Sequence, residues 1–229
     1  MAKLETFKRV KEVGIIPAIR TSNQDDAVKA AEAIKNGGIP IIEISLATKN
    51  ALDVLDAVAM AHSQSMLVGA GTVVDAEGVR QAALAGAQFI VTPGFSLEAV
   101  EKAKEFDIAI FAGALTPTEV QLASASGADA VKVFPCFAAA GTRYLKALRG
   151  EYPATDFIAS GGVGLDNCGD YIRAGACAIG VGGEIADFES MAVGDYRIFT
   201  VRARRLREAV QNARSLMEGS ASFNARERR

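Results

Sequence analysis

Two charged residues interrupt apolar runs: Lys132 stands between Val131 and Val133, and Glu43 stands between Ile42 and Ile44. Alternate side chains of a strand share a face, so Lys132 goes with Phe134 and Glu43 with Ser45. Arg20, Thr72 and Ser160 close three further apolar runs. Burial among apolar residues and a nearby like charge are the two ways in which a protein favours a lysine's neutral amine. That amine can attack a carbonyl carbon and form a Schiff base. A carboxyl group within reach then moves protons during the carbinolamine and enamine steps. The structural alternative is a buried Lys132–Glu43 ion pair, but desolvation offsets most of the Coulomb gain of such pairs. With Arg20, Thr72 and Ser160 at comparable run ends, the residues favour a lysine-dependent carbonyl enzyme.

Two glycine-rich turns form a second group. SGGVGLDN (160–167) and GVGGE (180–184) place Gly161, Gly162, Gly182 and Gly183 just past two apolar runs. Bare backbone N–H groups at such turns suit a phosphate or another anion. Other chemistries have little to draw on. The single histidine, His62, lies in a polar break before an apolar run, and Cys136, Cys168 and Cys177 contain no CxxC pair. Zinc sites and Ser-His-Asp hydrolysis are therefore disfavoured, and the cysteines read as small buried hydrophobes. No metal or other cofactor is expected.

The elements that must position these groups follow from periodicity. Eight short runs recur: IIPAIR (15–20), PIIEIS (40–45), MLVGAG (66–71), FIVTPG (89–94), IAIFAG (108–113), AVKVFP (130–135), DFIAS (156–160) and AIGVGG (178–183). They suit strands buried on both faces, and helical periodicity fills the intervals between them. Helix endings KNGG, LAGA, ASGA and RAGA align Gly38, Gly86, Gly127 and Gly175 at spacings of 48, 41 and 48 residues. Each interval holds two strand–helix units, so the fold class is α/β, a single-domain (β/α)8 TIM barrel with an extra C-terminal helix. In that barrel Arg20, Glu43, Thr72, Lys132 and Ser160 converge on the C-terminal mouth, where barrel active sites are built. The barrel spans 1–187, and a helical extension spans 188–218 with Thr200 as its N-cap. A mobile tail is expected over 219–229.

Hydrophobic residues make up 50% and charged residues 23% of the 229, which excludes a disordered chain. With 25 Lys+Arg against 27 Asp+Glu the net charge is −2, which gives no electrostatic reason for a nucleic-acid or membrane partner. No apolar run reaches the roughly 18 residues of a spanning helix. The polar N-terminus lacks a signal-peptide core, so a cytoplasmic location is expected.

The stretches GGIPIIEIS, VGAGTV, FIVTPG, AVKVFP and SGGVGLDN stand in an order and spacing that resemble the 2-keto-3-deoxy-6-phosphogluconate / 4-hydroxy-2-oxoglutarate aldolases, over roughly residues 5–187. The resemblance implies a class I aldolase that forms pyruvate from a 2-oxo acid substrate, and a homotrimer. It implies Lys132 as the Schiff-base lysine and Glu43 as the general acid/base. Thr72, Pro93 and Phe134 would line the pyruvate pocket, and Gly161 and Gly162 would form the phosphate-binding turn.

This chain departs from the family pattern at three places. Many members carry an arginine where it has Ala47, so the substrate carboxylate is assigned to Arg20. Ser160 replaces a common threonine, and Gly183 followed by Glu184 replaces a common serine. Losing a hydroxyl and gaining an acid both oppose a phosphate dianion. The expectation is a weakened preference for the phosphorylated acid, with activity on 4-hydroxy-2-oxoglutarate. An unphosphorylated 2-oxo sugar acid is the alternative substrate. A metal-dependent pyruvate aldolase and a non-catalytic sugar-acid-binding barrel are the competing functions.

Overall fold

The computed structural model describes residues 2–227, with side chains described for 2–219. Eight parallel strands close a barrel in sequence order: β1 (Ile15–Ile19), β2 (Ile41–Ser45), β3 (Leu67–Gly71), β4 (Phe89–Val91), β5 (Ala109–Ala114), β6 (Ala130–Val133), β7 (Phe157–Ser160) and β8 (Ala176–Val181). The helices are α1 (Lys3–Val13), α2 (Gln24–Asn36), α3 (Ala51–His62), α4 (Ala76–Leu84), α5 (Leu97–Glu105), α6 (Pro117–Ala125), α7 (Thr142–Glu151), α8 (Cys168–Arg173), α9 (Phe188–Ala192) and α10 (Arg197–Glu227). A 3-10 turn, Cys136–Ala139, follows β6.

Strand alternation divides the apolar residues into two cores. Ile42, Ile44, Val131 and Val133 face outward and pack with the helices. Ile16, Ile41, Leu67, Phe89, Phe111 and Ile158 fill the lumen. Phe7 and Val10 of α1 join this inner core, so α1 plugs the N-terminal end, with the Phe7 and Phe111 rings 5.6 Å apart. The lumen is thus packed shut at one end, and its polar side chains lie at the other.

Side-chain caps fix several helix starts: Asn23, Asp75 and Ser96 each accept an N–H of the first turn. Thr116 and Glu119 form a reciprocal capping box. Gly38, Gly86, Gly127 and Gly175 all have φ between +83° and +104°, so the aligned glycines of the repeat are helix-ending residues.

The structure corrects several local expectations. β1 stops at Ile19 and β3 at Gly71, so Arg20 and Thr72 lie one residue past their strands. β8 covers 176–181 rather than the run 178–183, and Gly182 and Gly183 lie just past it as expected. Thr200 is not an N-cap, because α10 already begins at Arg197. Its hydroxyl instead donates to the Ala33 carbonyl at 2.8 Å and ties α10 to α2. The α10 backbone is helical to Glu227. The expected mobility of 219–229 falls mostly on side chains outside the described residues, and residues 228 and 229 lie outside them altogether.

α10 packs on α8 and α2. It therefore takes the place of the eighth barrel helix, with the short α9 leading into it. Arg214 donates to the carbonyls of Lys11, Glu12 and Cys177, which anchors α10 to the end of α1 and to β8.

His62 ends α3 rather than sitting in a loop, and it is buried. Its Nε2 lies 3.1 Å from the Val28 carbonyl and its Nδ1 3.5 Å from Glu32, so it fastens α3 to α2. Burial pushes the Cys136 thiol up to about 11 and the Cys177 thiol up to about 12, which makes both poor nucleophiles.

Candidate active site

All eleven residues singled out from the sequence line one cavity of about 450 Å³ at the C-terminal mouth of the barrel. Register explains the convergence. Glu43 pairs with Ala18 of β1 and Gly69 of β3, while Lys132 pairs with Gly113 of β5 and Ile158 of β7. Both side chains thus point inward, one layer above the apolar plug.

Lys132 is partly buried, and its Nζ lies 5.1 Å from the centroid of the Phe134 ring. Glu43 is 6% exposed. Among the described residues neither has an ion-pair partner, so the structural pair weighed from sequence is not formed. A buried carboxyl without a partner is costly to keep for stability alone and available for proton transfer.

Glycines make the space these groups need. A Cβ on Gly71 would lie 1.7 Å from Glu43 Oε1, and a Cβ on Gly113 would lie 2.4 Å from the Pro93 carbonyl carbon. A Cβ on Gly180 would lie 2.7 Å from the Ser160 hydroxyl oxygen. Only glycine at residue 71 leaves room for the Glu43 carboxyl where it stands.

Buried hydroxyls hold the rim. Ser45 Oγ and Thr72 Oγ1 are hydrogen-bonded at 2.9 Å, and Thr72 has φ +59°. A β-branched residue in the left-handed region is strained, which is common where a site dictates backbone shape. Thr92 Oγ1 donates to the Gly94 carbonyl at 2.7 Å and accepts from the Gly113 N–H at 2.9 Å, fixing the turn that carries Pro93. Phe134 precedes a cis proline, Pro135, and Cys136 Sγ donates to the Val133 carbonyl at 3.2 Å.

The opposite rim is made of backbone. Gly161 and Gly162 have φ of +84° and +71°, and a Cβ on either would meet Pro135 or Phe137 at 2.8 Å. Asn167 pins this turn, donating to the Gly162 carbonyl at 2.8 Å and accepting from the Gly164 N–H at 3.0 Å. Gly182 and Gly183 follow the neighbouring strand β8 and line the same cavity, with Glu184 next in sequence. Arg20 is exposed and has no hydrogen-bond or ion-pair partner among the described residues, which leaves its guanidinium open to an anionic ligand.

Sequence reasoning missed the supporting residues: Gly71, Gly113 and Gly180, which create volume, and Ser45 and Thr92, which set the rim. The alternation of glycine in VGAGT was a readable signal that the lumen face of β3 above Leu67 bears no side chain and leaves room for those of its neighbours. Among the described residues no group of three or more His, Cys, Asp or Glu is placed to hold a metal ion. No helix among them is long and apolar enough to cross a membrane.

The sequence pattern described as KDPG and KHG aldolase matches residues 7–201. The 2-dehydro-3-deoxy-phosphogluconate aldolase of Treponema pallidum is 32% identical over 207 residues, covering 89% of this chain and 97% of that protein. The KHG/KDPG aldolase of Escherichia coli K12 is 30% identical over 200 residues, covering 87% and 92%. In three dimensions the chain is similar to the KDPG aldolase of Legionella pneumophila, whose crystal structure captured pyruvate as a covalent carbinolamine. The TM-score is 0.81 at 27% identity, over 86% of this chain and 96% of that one. A lysine-bearing barrel mouth, a pattern match across most of the chain and relatives covered almost end to end lead to one assignment: this chain belongs to the KDPG and KHG aldolase family, carbon–carbon lyases of class I.

Proposed function

We propose that the protein cleaves a 4-hydroxy-2-oxo acid to pyruvate and an aldehyde through a Schiff base on Lys132. The observation that carries this reading is that Lys132 and Glu43, both without ion-pair partners, face one cavity.

The Lys132 amine adds to the C2 carbonyl, and the carbinolamine loses water to give an iminium ion. Glu43 accepts the C4 hydroxyl proton. The C3–C4 bond then breaks, its electron pair flows into the iminium as an enamine, and the aldehyde leaves. Protonation of C3 and hydrolysis of the resulting iminium release pyruvate and restore the amine. Glu43 suits these proton transfers because its carboxyl is buried, uncommitted and held toward the mouth by the gap at Gly71. Arg20 holds the substrate carboxylate with its planar fork.

The substrates implied by the family resemblance are 2-keto-3-deoxy-6-phosphogluconate, giving glyceraldehyde 3-phosphate, and 4-hydroxy-2-oxoglutarate, giving glyoxylate. The homotrimer and the cytoplasmic location belong to the same proposal. Light scattering should give about three times the 23.9 kDa chain mass.

An assay that reports pyruvate through lactate dehydrogenase tests the activity. Pyruvate should form from 4-hydroxy-2-oxo acids, and EDTA should not diminish the rate. Loss of activity in EDTA would favour the metal-dependent alternative, and no pyruvate from any such acid would favour a binding protein.

A further inference from the structure

The β7–β8 side of the cavity holds a charged group for which the cleavage itself has no use. Glu184 follows Gly183, and its side chain reaches across to the turn after β7. Its Cγ, Cδ and Oε2 come within 3.0–3.1 Å of the point that a Cβ on Gly164 would occupy. The exposed carboxylate therefore stands beside Gly164 in the turn after β7, and it lines the same cavity as the Gly161–Gly162 and Gly182–Gly183 turns. Among the described residues it has no ion-pair or hydrogen-bond partner.

The other charged groups lining the cavity are Arg20, Glu43 and Lys132. In the aldolase reading, Arg20 is occupied by the substrate carboxylate and Lys132 by C2. Among the described residues lining this cavity, no further cation remains for a second anionic group. Gly183 supplies no hydroxyl.

We propose that this end of the cavity receives an uncharged, hydroxylated chain, so that the preferred substrate is an unphosphorylated 4-hydroxy-2-oxo sugar acid whose terminal hydroxyls donate to Glu184. The proposal rests on the aldolase reading and goes beyond the retained phosphate preference expected from sequence. A hydroxyl both donates and accepts. It can give its proton to the Glu184 carboxylate and accept from the backbone N–H groups of the two glycine turns. A phosphate dianion has no proton to give and meets a like charge at close range in a partly enclosed site. A distal carboxylate, as in 4-hydroxy-2-oxoglutarate, does not supply such a hydroxyl either.

The test is kcat/KM on 2-keto-3-deoxygluconate and 2-keto-3-deoxy-6-phosphogluconate, and on the corresponding pair of galactonates. It is run with the wild-type protein and with Glu184→Ser and Glu184→Gln. The wild-type protein should turn over the better unphosphorylated acid with the higher kcat/KM. Both substitutions should move the ratio toward the phosphorylated acid by about fivefold or more, as expected for removing a like charge that stands close to the anion at a solvated rim. Both members of a pair are measured on the same sample, so a general loss of activity cancels from the ratio.

A wild-type kcat/KM for the phosphorylated acid equal to or above that for its partner would overturn the proposal. So would a ratio that stays put in both variants. Trapping pyruvate on the wild-type protein separates the two levels. An adduct on Lys132 with the wrong preference sinks the specificity proposal alone, whereas no adduct removes the aldolase reading and the proposal with it.

Discussion

The two halves of the cavity are built differently. On the β2–β6 side the groups proposed to do the chemistry are side chains rooted inside strands, Glu43 in β2 and Lys132 in β6, with space made by Gly71 and Gly113. On the β7–β8 side the cavity wall is turn backbone, Gly161–Gly162 and Gly182–Gly183, with the side chain of Glu184 laid across it. Strand residues sit in hydrogen-bonded register with neighbours on both sides, so their geometry is over-determined. Turn residues are held by a few contacts, such as those of Asn167. In the proposed reading, reaction type lies in the part of the fold that resists change, and choice of substrate tail in the part that tolerates it.

Substitutions on the strand side should have the largest effects. Glu43→Gln removes the group proposed to move protons in more than one step and should lower kcat by about 10²-fold or more. Steady-state kinetics checks this, and a kcat near wild type would reduce Glu43 to a residue that orients Lys132. Gly71→Ala should come close behind, because the added carbon would lie 1.7 Å from Glu43 Oε1 and must displace that carboxyl. An expected loss of kcat of about tenfold or more accompanies a destabilisation of about 1–3 kcal/mol from overpacking. Denaturant unfolding run beside the assay separates the two effects, and unchanged kcat would mean that the carboxyl position matters little.

At the boundary between the halves, Arg20→Lys keeps the charge and loses the bidentate fork. KM should rise by about tenfold with a smaller change in kcat. An unchanged KM would hand the carboxylate to another group, with Lys49 the nearest candidate in the same outer rim as Arg20.

The smallest effect belongs to the segment after β8. Asp187 caps α9 and is bonded to Arg202 of α10, and these contacts hold its carboxyl down at about 2. A folded value below the unfolded one contributes stability above roughly pH 4, and that stability is lost as pH falls toward 2. Asp187→Asn should flatten this acid limb of the stability curve. An unaltered limb would show that the contact does not fasten the segment.

What was legible in the sequence follows the same division. Lys132 and Glu43 stood out because a charge inside a β-branched run has few structural explanations. The barrel followed from eight apolar runs and from glycines recurring at helix ends, both enforced by burial and backbone sterics. Strand ends were less evenly legible: IIPAIR does not show that pairing stops at Ile19 before Arg20, whereas MLVGAG ends where β3 does. The start of α10 was missed because Thr200 has the chemistry of a cap but spends its hydroxyl on a tertiary contact with Ala33. The direction of Glu184 was unreadable, because alternation no longer applies once the chain turns. The glycines of VGAGT signalled room on β3, but which side chain enters the space at Gly71, and the close approach of Pro93 to Gly113, needed a neighbour's coordinates.

The most direct test of the central claim is borohydride reduction in the presence of pyruvate, followed by peptide mass mapping. One peptide should gain the mass of a reduced pyruvyl group, and fragmentation should place it on Lys132. Lys132→Ala should give no adduct and lose essentially all cleavage activity. An adduct on Lys146 or Lys49, or cleavage that persists in Lys132→Ala, would contradict the account.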